Sequence, residues 1–123
     1  MGIVSAVSVV ALQSAEAIEL PGGSWSRMLV TGERVESPAA SIGYSVFKPG
    51  SATASVSHET DEVAYVVSGS GRLDTDDGEV RFETGDALHI PPRTWHAVVN
   101  DSDADVLMVF GFPHPDYPPT ERR

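Results

Sequence analysis

Residues 49–69 read PGSATASVSHETDEVAYVVSG, and residues 85–100 read GDALHIPPRTWHAVVN. In the first stretch His58 and Glu62 stand on either side of Glu59-Thr60-Asp61; the second stretch supplies His96. Both stretches join short β-branched apolar runs to turn residues, with Pro49-Gly50, Gly69, Gly85-Asp86 and Pro91-Pro92 as punctuation. Short runs of this kind predict strands, and many of them in one chain predict a sandwich or barrel.

The spacing of His58 and Glu62 carries a geometric condition. On one straight strand, four residues would separate them by ~13 Å. One metal ion with bonds of about 2 Å cannot span that distance. If Glu59-Thr60-Asp61 is the loop of a tight hairpin, His58 and Glu62 become cross-strand neighbours with Cβ atoms ~5 Å apart. The sequence therefore predicts a hairpin at 59–61. Pro91-Pro92 removes two backbone donors and ends a strand. A second hairpin there would let the chain return with His96 facing inward.

Outward from these stretches the same rhythm continues. Candidate strands are Val4–Leu12, Ser26–Val30, Ile42–Phe47, Thr53–His58, Glu62–Val67, Gly71–Asp74, Glu79–Phe82, Ala87–Ile90, His96–Asn100 and Val106–Phe112. Asp77-Gly78 reads as a hairpin dipeptide, because glycine accepts positive φ without steric cost. Ser14–Leu20 is the one plausible helical piece, and it is too short to stand alone. After Phe112 a tail with four prolines reads as an extended arm, loose or packed on a partner.

At this point two motifs resemble those of the cupin superfamily. Gly50, His58, Glu62 and Gly69 fall in register with its first motif, and Val56 stands where that motif has its first histidine. Gly85, Pro91, His96 and Asn100 fall in register with the second, and Arg93 stands where that motif has glycine. The resemblance implies an all-β fold, a double-stranded β-helix (jelly-roll barrel), with a metal in its mouth. It implies one domain over 1–123: a barrel core at about 26–112, an N-terminal strand at 4–12 and an extended tail at 113–123. With Val56 in place of histidine, the remaining ligands are His58, Glu62 and His96. Two histidines and one carboxylate suit a divalent transition metal (iron, zinc, manganese or nickel), and the residue types do not choose among them.

Composition bounds the function classes. The chain has 123 residues, 41% of them hydrophobic, which supports one core. A formal net charge of −10 argues against nucleic acid or anionic membrane as partners, since both are polyanions. There is no cysteine, so disulfides, thiolate nucleophiles and Cys-type metal sites are excluded. The opening MGIVSAVSVVALQSAEA faintly resembles a secretory leader, but no Lys or Arg precedes Arg27. A strand and a cytoplasmic location are expected instead.

Other polar and aromatic residues read more simply. His89 is expected on an outward or partly buried strand position, and His114 at the surface. Tyr44, Tyr65, Trp25 and Trp95 read as packing. Arg27 and Arg93 read as partners in surface salt bridges, and 74–79 as a solvated hairpin tip.

The functional expectation is a metal-dependent enzyme acting on a small organic metabolite by lyase, isomerase, cyclase, decarboxylase or dioxygenase chemistry. Glu62 is both a ligand and a candidate general base. The other reading is a non-catalytic ligand-binding or sensing cupin with a degenerate metal site. A homodimer is expected, paired through its sheets and burying Val4–Leu12.

Overall fold

The computed structural model describes residues 6–123. Eleven strands form two antiparallel sheets. The strands are β1 (Ile18–Glu19), β2 (Trp25–Val30), β3 (Ser41–Phe47), β4 (Val56–His58), β5 (Glu62–Ser68), β6 (Ser70–Thr75), β7 (Gly78–Glu83), β8 (Ala87–Ile90), β9 (His96–Val99), β10 (Val106–Phe112) and β11 (Thr120–Arg122). One sheet runs β1-β2-β3-β10-β5-β8 and the other β11-β4-β9-β6-β7. From β3 to β6 successive strands alternate between the sheets, and from β7 to β11 they alternate again. This is the double-stranded β-helix expected from the motifs.

Both sheets supply the core. Phe47, Val66, Leu73, Phe82, Ile90, Val106, Met108, Phe110 and Phe112 are buried in one cluster. β10 shows the reason most plainly, because every second residue from Val106 to Phe112 is buried, as the period-two pleat requires. Phe110 pairs with Gly43 in the ladder. A Cβ added at Gly43 would lie 2.3 Å from the Phe110 ring, so the ring occupies the space that a side chain would fill. Gly69, between β5 and β6, has φ +103, and a Cβ there would meet the Asp105 carbonyl oxygen at 2.6 Å. Both reasons reserve that corner for glycine.

Several expectations are corrected. Residues 7–11 are irregular and Leu12–Ser14 is a single 3-10 turn, so no strand forms over the described part of Val4–Leu12. Val4 and Ser5 lie outside the described residues. β-Branched composition favours a strand only where a ladder and a buried face exist, and Val9 is 92% exposed. Ser14–Leu20 is not helical. Ser14 ends the 3-10 turn, and the rest of the segment is extended and contains β1, which pairs with β2. At the β6–β7 hairpin, Thr75 pairs with Gly78, so the two-residue loop is Asp76-Asp77, one residue earlier than expected. Gly78 follows the loop with φ +120.

The hairpin expected at 59–61 is absent. β4 pairs with β9 and β11, whereas β5 pairs with β10 and β8. Residues 59–61 therefore carry the chain from one sheet to the other. The segment 91–95 does the same between β8 and β9. No helix among the described residues is long and apolar enough to cross a membrane.

Candidate metal centre

The two inter-sheet corners bring His58, Glu62 and His96 together. His58 ends β4, Glu62 begins β5 and His96 begins β9. Glu62 Oε1 lies 3.1 Å from His58 Nε2 and 3.4 Å from His96 Nε2. One donor atom from each residue falls within 4.8 Å of the others. The histidine side chains are 4% and 6% exposed and that of Glu62 is 13% exposed, so the cluster is largely buried. The β4–β9 ladder sets His58 and His96 side by side in one sheet, and Glu62 faces them from β5 of the other sheet.

Hydrogen bonds to the far side of each ring orient the pair. His96 Nδ1 lies 2.9 Å from the Thr94 carbonyl oxygen, which only accepts, so this nitrogen carries the proton. His58 Nδ1 lies 2.7 Å from Thr120 Oγ1. The neutral His96 ring therefore turns the lone pair of Nε2 toward Glu62 Oε1, itself an acceptor. That oxygen is buried and makes no hydrogen bond. With both Nε2 lone pairs turned toward it, a buried carboxylate oxygen is costly; a proton on one imidazole relieves it, and so would a cation between the three groups. Metal bonds of about 2.1 Å at right or tetrahedral angles place ligand atoms about 3.0–3.4 Å apart. The two observed separations fit that range.

Without a cation, the electrostatics favour a proton shared between Glu62 and the imidazoles. Burial would raise the Glu62 carboxyl, but His58 and His96 outweigh it and hold the group below its ordinary value. Burial would lower the His96 imidazole, but the Glu62 carboxylate and the Thr94 carbonyl hold it above its ordinary value.

A cavity of about 200 Å³ adjoins the three residues. Its walls include Leu20, Phe47, Met108, Phe110 and Phe112, with Val56 beside the histidines. The Ser26 and Ser45 hydroxyls, also in its lining, hydrogen-bond to each other at 2.6 Å. Val56 and His58 share one strand face, and Val56 pairs with His96 in the ladder.

Two neighbours of the site escaped the sequence reading. The C-terminal arm folds back, and β11 pairs with β4 so that Thr120 is opposite His58. Tyr117 packs edge-on against His58 and Phe112, with ring centroids at 5.3 and 5.5 Å. The proline-rich composition of the arm carries no signal for either contact.

The remaining candidates lie away from the centre. His89 faces outward, and its Nε2 is 2.7 Å from Asp61 Oδ1. His114 bonds only within its own loop, to Asp116. Arg27 stacks on Trp25 and bonds Leu12 and Gln13, and Trp95 packs under Arg123. Arg93 reaches toward Glu59 at 3.9 Å.

Residues 43–112 match the Cupin domain family. The chain belongs to the cupin family. This cupin is 32% identical over 74 residues to gentisate 1,2-dioxygenase 1 of Aquipseudomonas alcaligenes, a match that takes in 59% of the chain and 21% of that protein. The chain thus spans about a fifth of that relative's length. Among solved structures, it resembles the polyketide cyclase RemF from Streptomyces resistomycificus with TM-score 0.78 and 20% identity, covering 94% of this chain and 84% of that one. It also resembles oxalate decarboxylase from Bacillus subtilis, with TM-score 0.79 and 21% identity over 90% of this chain and 30% of the other. At these identities the structural likenesses establish the fold.

Proposed function

We propose that this cupin is a small metal-dependent enzyme acting on an organic metabolite, with His58, Glu62 and His96 as ligands of a divalent transition metal. The observation that carries the reading is the buried, unbonded Oε1 of Glu62 between two imidazole nitrogens. When bound, such a metal supplies Lewis-acid stabilisation of negative charge on a substrate oxygen. The chain's own residues supply the rest. Apolar walls exclude water from the cavity and strengthen electrostatic interactions inside it. Thr94 and Thr120 hold the two rings in place. Glu62 is the candidate catalytic carboxylate: where it is freed from the metal, it can accept a substrate proton.

The relatives include a cyclase, a decarboxylase and a dioxygenase. Mn(II) centres are described for Bacillus subtilis oxalate decarboxylase, which is 21% identical to this chain over 90% of its length, with TM-score 0.79 and 30% of that protein covered. The proposal for this chain stays at cyclase, lyase, isomerase, decarboxylase or dioxygenase chemistry. Val56 favours a second reading, a non-catalytic binding or sensing cupin, since three ligands hold metal less firmly than four. Metal analysis of protein purified without chelators separates the two. Near-stoichiometric transition metal, lost in Glu62→Gln and His58→Ala, is the expected result. Less than about a tenth of an equivalent, with no gain on reconstitution, overturns the enzyme reading.

A homodimer belongs to the same proposal. The outer face of the six-stranded sheet presents Ile42, Val63, Tyr65 and Val67, all exposed. Contiguous apolar surface of this kind suits a second copy of the chain. Sedimentation at micromolar concentration should show a dimer, and a monomer would contradict it.

A further inference from the structure

One polar atom of the C-terminal arm, Thr120 Oγ1, decides which nitrogen of His58 is available. Thr120 Oγ1 lies 2.7 Å from His58 Nδ1 and 2.8 Å from the Pro118 carbonyl oxygen. A hydroxyl has one proton, and a carbonyl only accepts. The Thr120 proton therefore goes to Pro118, and its oxygen accepts from His58 Nδ1–H. The reverse arrangement would set two lone pairs against each other at Pro118.

The arm is anchored well enough to impose this. Thr120, Glu121 and Arg122 pair with His58, Ser57 and Val56. The Glu59 amide donates to the Pro119 carbonyl at 3.0 Å. Tyr117 and Phe112 pack edge-on against the His58 ring, so the ring has little freedom to turn.

We infer that Thr120 is a positioning residue: it fixes His58 in the Nδ1–H tautomer and so directs the Nε2 lone pair at the point shared by Glu62 and His96. Thr120 does for His58 what the Thr94 carbonyl does for His96, except that the partner comes from the far end of the chain. Removing the partner behind a metal-bound histidine typically lowers metal affinity by about 10–100-fold. The consequence for metal affinity rests on the metal reading above; the tautomer does not.

The experiment uses the full chain treated with chelator, at a pH well above the ordinary imidazole range. Long-range NMR correlations between ring protons and ring nitrogens report the His58 tautomer directly. A proton on Nδ1 is expected in the parent, with Glu62 Oε1, 3.1 Å from Nε2, as the competing acceptor. Thr120→Val should shift the population toward Nε2–H, and Thr120→Ser should restore the parent pattern. Titration with Zn(II) should then show roughly 10–100-fold weaker binding in Thr120→Val and near-parent binding in Thr120→Ser. An unprotonated Nδ1 in the parent overturns the inference without needing any variant to fold. So does an unchanged tautomer in folded Thr120→Val. If the tautomer switches but the parent takes up no metal, the positioning role stands and the metal reading fails.

Discussion

Val56 is the ladder partner of His96 between β4 and β9, and it shares a strand face with His58. It also lines the cavity beside the three polar residues. The position that holds histidine in the family motif therefore faces the candidate centre. Val56→His should add a fourth ligand and tighten metal binding about tenfold or more, each decade being about 1.4 kcal/mol. Turnover should fall, because an open coordination position is lost. A competition titration against a chelator checks the first point. Unchanged affinity would mean that the new imidazole does not reach the ion.

Arg93 is in the left-handed region at φ +57. Its amide donates to the His58 carbonyl at 2.7 Å, so the corner between β8 and β9 is pinned to the end of β4. A left-handed residue with a Cβ costs roughly 1–2 kcal/mol, and glycine recovers part of that against its greater freedom when unfolded. Arg93→Gly should stabilise the protein by up to about 1 kcal/mol. Its exposed side chain contributes little through a 3.9 Å ion pair with Glu59. Thermal melts should show a Tm higher by a few degrees, with metal affinity unchanged.

Asn100 is fully buried and all its hydrogen-bonding capacity is used. Nδ2 donates to the Phe47 and Ala104 carbonyls at 2.8 Å each, and Oδ1 accepts from the Ser102 amide and hydroxyl. Asn100→Asp would set a carboxylate oxygen against two carbonyls. The expected loss is about 3–5 kcal/mol, the range for a stranded buried charge. Denaturant melts measure it. Metal affinity per folded molecule should not change, because Asn100 supports the loop after β9 and does not touch the centre.

Removal of metal should change the sign of the pH dependence. In protein stripped of metal, the raised His96 imidazole gives stability that is complete below its ordinary value of 6.5 and is lost as pH rises through its folded value. The lowered Glu62 carboxyl gives stability that is present above its ordinary value of 4.5 and is lost as pH falls through its folded value. The stripped protein should thus gain most from this cluster between 4.5 and 6.5. Metal competes with protons for the same atoms, so the metal's contribution should grow with rising pH. Melts of both forms across pH should diverge on the alkaline side. Parallel curves would count against the cluster as the metal's seat.

The motif positions were legible because each answers to a local rule. Gly69 meets a carbonyl, and Gly50 donates its amide to the Asn100 carbonyl at 2.8 Å, closing the two motifs on each other. Short apolar runs bounded by turn residues placed β3, β5, β8 and β10 within a residue or so. Those local rules also named His58, Glu62 and His96. They did not reveal how the three meet. A tight turn and an inter-sheet corner use the same polar residues at 59–61, and only the packing of two sheets selects the second. The same limit applies to Val4–Leu12, where β-branched residues signal a strand that needs a ladder. It applies to Thr120 and Tyr117 as well. Their place beside His58 depends on β11 docking along β4, a contact across 62 residues between Thr120 and His58 that no local pattern encodes. Residue chemistry thus determined the barrel and named three candidate donors, while tertiary pairing decided which atoms of His58 and His96 face Glu62.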